Sequence, residues 1–168
     1  CNFFSSPKPQ ILSTEDIFKI IAKTRNFISG ITISGGECTV QFDFLKSILE
    51  EAQNQKISAF IDTNAFLDFE KMCELSDFFD KAMIDLKWFD NETHQKLTGK
   101  SNDLVLKNTE FLLSRNKVHE IRTVVFPFIG NNSENIRKTA EFLVQRNENV
   151  IFKLIKFRKN GLKNPQSY

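Results

Sequence analysis

Apolar positions along this chain follow two rhythms in alternation. Short runs at 31–34, 57–61, 82–86, 119–126 and 150–157 have the length and composition of buried strands. Between them lie stripes at helical spacing. Ser13 reads as the N-cap of a helix reaching about Thr24, with Glu15 and Asp16 in its first turn and Ile17, Ile20 and Ile21 inward. A helix over 42–54 turns Phe44, Leu45, Ile48, Leu49 and Ala52 inward and Lys46, Glu50 and Glu51 outward. Further helices are predicted over 69–78, over 103–115 on Val105, Thr109 and Leu112, and over 133–147 on Ile136, Ala140, Leu143 and Val144, with a short turn or helix near 91–97. Strands alternating with helices through short connections predict an α/β fold with a parallel sheet and right-handed crossovers. A doubly wound sheet and an incomplete (β/α) barrel both fit. Residues 1–12, with Ser5, Ser6, Pro7 and Pro9, read as a connector; 13–158 form the folded part; 159–168 are a polar, truncated tail.

Polar groups gather where the predicted strands end. The stretch Gly30-Ile-Thr-Ile-Ser-Gly-Gly-Glu37 runs from a strand straight into two glycines and a carboxylate. Gly35 and Gly36 allow a sharp turn and close approach of a ligand to the backbone. The next strands end in Asp62 and Asn64, then Asp85 and Lys87; Arg122 lies just inside its strand, and Arg158 follows the last. In parallel α/β folds the C-terminal ends of the strands are where ligands bind. Acids beside Lys and Arg suit a ligand carrying both an ammonium and a carboxylate, with Glu37 accepting from the first and a basic residue holding the second. For one residue, capping or charge balance is the simpler reading; for five strand ends together, a site is.

Composition narrows the alternatives. The chain has 168 residues, 40% apolar and 26% charged, enough for one domain with a core. Eighteen Phe against one Trp and one Tyr must supply much of that core. With 23 basic and 21 acidic residues, the charge gives no argument for nucleic acid or a membrane surface, and no apolar run approaches a membrane span. Cys1, Cys38 and Cys73 form no spaced metal motif and, without a visible signal peptide, read as reduced thiols of a cytoplasmic protein. Cys38 reads as a small packed thiol and Cys73 as core. His94 and His119 lie in polar stretches and read as surface residues. Gly99-Lys100-Ser101 imitates a phosphate loop, but His94 stands where its first glycine belongs.

Five segments taken in order resemble the activating enzymes of glycyl radical enzymes, the pyruvate formate-lyase activase family of the radical S-adenosylmethionine superfamily. They are Gly30 to Glu37, Ile61-Asp-Thr-Asn64, Met83-Ile-Asp-Leu-Lys87, His94-Gln-Lys-Leu-Thr-Gly-Lys-Ser-Asn102 and Ile121-Arg-Thr-Val-Val125. The resemblance implies part of an incomplete (β/α)6 TIM-like barrel and a set of cofactor-binding residues. Gly35, Gly36 and Glu37 match the turn that meets the methionine ammonium. Asp62 and Asn64 match a strand end facing the cofactor, Lys87 beside Asp85 lies near its carboxylate, Arg122 lies under the site, and Arg158 falls where many members carry a His. It further implies S-adenosylmethionine and a 4Fe-4S cluster as cofactors. The activity implied is cleavage to a 5′-deoxyadenosyl radical, which takes hydrogen from a glycine of a partner glycyl radical enzyme.

The departures from that pattern matter as much. The CxxxCxxC loop that holds the cluster is absent from the 168 residues, and the three cysteines cannot replace it by spacing, so this chain alone is expected to be inactive. Cys1 resembles the last cluster ligand of a ferredoxin-like insert found in one branch of the family. Ala65 and Phe128 stand where glycine is usual. Two other functions remain open: a half-barrel binding module that self-associates through an open sheet edge, and a Schiff-base enzyme using Lys87.

Overall fold

The first helix starts on a reciprocal cap. Ser13 Oγ accepts from the Asp16 amide, and the Asp16 carboxylate accepts from the Ser13 amide, opening α1 (Thr14–Thr24). The computed structural model describes residues 10–158. Most of the predicted connector, with Cys1, and the tail from 159 lie outside the described residues. After α1 come β1 (Gly30–Ile33), α2 (Phe42–Asn54), β2 (Ser58–Thr63), α3 (Phe69–Leu75) and β3 (Lys81–Asp85). Then follow α4 (Asn91–Thr98), α5 (Asp103–Ser114), β4 (Val118–Val125), α6 (Asn132–Val144) and β5 (Ile151–Lys156). Among the described residues no helix is long and apolar enough to cross a membrane.

The five strands lie side by side in chain order, every neighbouring pair parallel. That order decides between the two architectures. A doubly wound sheet reverses its strand order at a switch point. A strictly sequential order with right-handed crossovers carries all connecting helices to one face, as in a barrel wall. The fold is thus an α/β partial barrel, with β1 and β5 as its edges.

Strand burial shows the two faces. Ala59, Ile61 and Thr63 of β2, Ala82 and Ile84 of β3, and Ile121 and Thr123 of β4 are buried. The residues between them, Phe60, Asp62, Met83, Asp85 and Arg122, are only partly buried and line the opposite, inner face. One irregularity keeps that phase. Ala82 pairs with Val118 but Met83 pairs with Glu120, so His119 is an extra residue in β4. The bulge brings Glu120 and Arg122 to the same face as Met83 and Asp85. At the other edge, a Cβ on Gly30 would sit 2.6 Å from the Ser58 carbonyl oxygen, so β1 meets β2 through a position only glycine can fill.

Two predicted helix faces are corrected. In α1 the buried residue is Phe18, while Ile20 is 53% exposed. In α6 the buried stripe is Asn135, Thr139, Phe142 and Leu143, and Val144 is 66% exposed. Asn135 wins its place by hydrogen bonding: its Oδ1 accepts from the Phe89 amide at 2.7 Å, supporting the loop after β3. The α2 stripe is as predicted, with Leu45, Ile48, Leu49 and Ala52 buried.

Candidate functional site

At the C-terminal ends of β2, β3 and β4 three strands share one ion network. Arg122 is level with Asp85 across the sheet, and Asp62 is level with Met83, one inner-face position earlier. The guanidinium spans both acids. Its Nε donates to Asp85 Oδ1 at 2.8 Å, and Nη1 and Nη2 donate to the two Asp62 carboxylate oxygens. Lys87 Nζ donates to the other Asp85 oxygen at 2.6 Å. Below them Glu120, only 8% exposed, lies 3.9 Å from Arg122 Nη1 and 3.5 Å from Lys153 Nζ. Burial works against the charge on Arg122, but its bonds to Asp62 and the nearby Asp85 prevail and raise its pKa.

Glu37 has a different setting from the one its sequence suggests. Its Oε1 accepts from the Thr39 amide at 3.2 Å, the Thr39 hydroxyl at 2.8 Å and the Thr63 hydroxyl at 2.6 Å. Its Oε2 accepts from the Asn64 amide at 2.8 Å. Four donors of the chain itself converge on this carboxylate and tie the turn after β1 to the turn after β2. Cys38 adds a second tie, its Sγ donating to the Asp62 carbonyl at 3.2 Å. It is the packed thiol the sequence predicts, and burial, aided by the charges of Glu37 and Asp62, pushes its pKa up to about 12.

Gly35 and Gly36 need another explanation than the sharp turn. Neither has a left-handed φ, and a Cβ on either would meet nothing within 4 Å. Both are exposed beside the strand ends. Two hollows open near the ion network. One of about 640 Å³ has Val124, Phe126, Ile155 and Phe157 along its wall, with Lys87 and Arg158 also lining it. A smaller one of about 150 Å³ is lined by Asn64, Asp85, Lys87 and His94 among others. Lys87 borders both. The structure therefore brings Glu37, Asp62, Asn64, Asp85, Lys87 and Arg122 together at one end of the sheet. Arg158 is exposed and joins them only as part of the larger hollow's wall.

Several residues at the site had no signal in the charge pattern. His94, expected at the surface, is 4% exposed. Its Nδ1 lies 3.0 Å from the Lys100 carbonyl, which can only accept, so Nδ1 is the donor in that contact. Buried asparagines hold the loops: Asn102 donates to the Trp88 and Phe89 carbonyls, and Asn108 to those of Ala65 and Leu67. The available clue was an amide standing inside an apolar helical stripe, as Asn108 does between Val105 and Leu112. Among the described residues no three His, Cys, Asp or Glu side chains are placed to hold a metal ion.

Comparison with known proteins places the chain in a family. The family model described as the radical SAM superfamily matches residues 1–143. Pyruvate formate-lyase 1-activating enzyme of Escherichia coli is 31% identical over 137 residues, covering 78% of this chain and 56% of that enzyme. Trans-4-hydroxy-L-proline dehydratase activating enzyme of Clostridioides difficile is 33% identical over 144 residues, covering 80% and 47%. The chain thus spans about half the length of these curated relatives. Among solved structures, a domain of pyruvate-formate lyase-activating enzyme from Bacteroides vulgatus matches with a TM-score of 0.69 at 26% identity, covering 83% of this chain and 89% of that one. Streptococcus suis SuiB bound to S-adenosylmethionine shares the fold, with a TM-score of 0.71 at 20% identity over 94% of this chain and 37% of its own. By sequence and by fold, the chain belongs to the radical SAM superfamily, where its relatives are activating enzymes of glycyl radical enzymes.

Proposed function

We propose that this chain forms the S-adenosylmethionine cradle of a glycyl-radical-enzyme activating enzyme. The observation that carries the reading is the pair Gly35 and Gly36. Neither the chain's packing nor its backbone conformation requires glycine there, yet both stand open past the end of β1, directly before Glu37, at the end of the sheet that carries the ion network. A ligand that must approach the backbone closely accounts for them.

The residues present fit such a ligand. The turn at Gly35 and Gly36 would meet the methionine ammonium, and Glu37 would hold that turn in place. Lys87 would neutralise the carboxylate. The aromatic and aliphatic wall of Val124, Phe126, Ile155 and Phe157 would take the adenosyl half and exclude water from it. Arg122 would keep Asp62 and Asp85 in position beneath. In this family bound S-adenosylmethionine supplies a carbon-centred radical that removes hydrogen from a partner's glycine. For a 4Fe-4S cluster the described residues do not fit. Cys38 is a buried thiol with a pKa of about 12, and no three-ligand group exists among them. No step through a cluster is therefore assigned to these residues.

Calorimetric titration with S-adenosylmethionine tests the cradle. A side chain added at Gly36 meets no protein atom within 4 Å, so Gly36→Val is expected to fold normally and to fill ligand space. Binding should fall by about a hundredfold in Gly36→Val and about tenfold in Lys87→Ala, and be unchanged in Lys81→Ala at the far end of β3. Equal affinity in the wild type and Gly36→Val would sink the reading.

A further inference from the structure

We infer that Glu37 and Asn108 are positioning residues that grip the turn at 63–67 from opposite sides and present Asn64 already arranged for a ligand. The inference rests on the reading of this site as an S-adenosylmethionine cradle and assigns the residues that shape it.

The turn cannot be at ease on its own. Ala65 has φ of 56° and is fully buried, a left-handed conformation that an L side chain avoids. Two local bonds shape the turn: the Ala65 amide donates to the Thr63 hydroxyl at 3.0 Å, and the Phe66 amide to Asn64 Oδ1 at 2.8 Å. From the β1 side, Glu37 receives the Thr63 hydroxyl and the Asn64 amide. From the α5 side, Asn108 Nδ2 donates to the Ala65 carbonyl at 2.9 Å and the Leu67 carbonyl at 2.6 Å. The strained residue sits between the two grips.

Asn108 bears the mark of a residue kept for what it holds. It is wholly buried, and its Oδ1 finds no hydrogen-bond partner. An asparagine inside a helix is unfavourable, and a buried unpaired acceptor more so. A leucine would continue the stripe of Val105 and Leu112. The amide's two donors offset both penalties only because the turn they hold is needed in that shape. Glu37 is explained in the same terms: its carboxylate is engaged by donors on two turns and acts on a ligand through them.

The test compares Glu37→Gln, Asn108→Ala and the double variant Asn108→Ala/Ala65→Gly with the wild type in the full chain. Glu37→Gln places an amide NH2 among four donors in a partly exposed turn, so it carries the test if Asn108→Ala folds poorly. Amide hydrogen exchange at Asn64, Ala65 and Phe66 is read first. It should quicken about tenfold or more in both single variants while the Leu49 amide of α2 is unchanged. Calorimetry with S-adenosylmethionine is read second. Affinity should fall about tenfold in the single variants and recover substantially when Ala65→Gly removes the strain in the Asn108→Ala background. Unchanged exchange at 64–66, or exchange that quickens equally throughout the chain, overturns the positioning role, as does an Ala65→Gly change that restores nothing. A chain that shows the local exchange response yet never binds S-adenosylmethionine supports the grip and overturns the cofactor reading instead.

Discussion

Glu37 and Cys38 are neighbours in the chain and at the site, and each illustrates what residue identity conveys. Their place after Gly35 and Gly36 points to a strand end, and they stand just past the end of β1. Their partners, Thr63, Asn64 and the Asp62 carbonyl, come from the next strand and depend on a register that residue order does not state. His94 was misread for a related reason. A polar ring in a polar stretch looks exposed, yet its contact with the Lys100 carbonyl lets it be buried at little cost. Cys38 yields a prediction at this scale. In the folded chain its pKa is raised from an ordinary 9.0 to about 12, while an unfolded chain ionises near the ordinary value. The stability tied to the neutral thiol is therefore complete below about pH 9 and is lost as pH climbs toward 12, at about 1.4 kcal/mol per unit. Urea midpoints measured from pH 8 to 10 should fall more steeply for the wild type than for Cys38→Ala. Parallel slopes would mean the thiol is not held neutral.

At the level of elements, the helix and strand sequence is readable because the helical stripes run over ten or more residues, while the strand runs are short and rich in Ile, Val and Phe. Which face of a helix is buried was less so. In α6 the stripe lies one position away from the apolar one because Asn135 must reach the Phe89 amide, and polar satisfaction outweighs a small gain in apolar area. The bulge at His119 was invisible, since a strand with one extra residue keeps the same composition. Its effect is to keep Arg122 in phase with Asp85, so the guanidinium joins β2 to β3 and β4. Replacing Arg122 with Leu leaves Asp62 and Asp85 facing each other without their shared cation. With these side chains 15–29% exposed, the loss should be about 2–4 kcal/mol, read as a lower urea midpoint. A loss below about 0.5 kcal/mol would show that the network contributes nothing to the sheet.

For the whole molecule, alternation of strands and helices fixed a parallel sheet but left two windings open. The deciding fact is where each crossover returns, which depends on packing across the sheet. Parallel pairing puts every strand's C-terminal end on the same side, and the sequential order sets β2, β3 and β4 next to one another, so their charged residues meet. The convergence of Asp62, Asp85 and Arg122 is thus a consequence of winding, and the function proposed for the chain depends on it. The most direct test is to titrate the isotopically labelled chain with S-adenosylmethionine and map the amide shifts. The account predicts that the largest changes cluster at 35–37, 62–66, 85–87 and 122–126, with little change at Ser58, Lys81 or Val118 at the opposite end of the sheet. Shifts centred on that opposite end, or saturating binding that leaves the four strand ends unmoved, would contradict it.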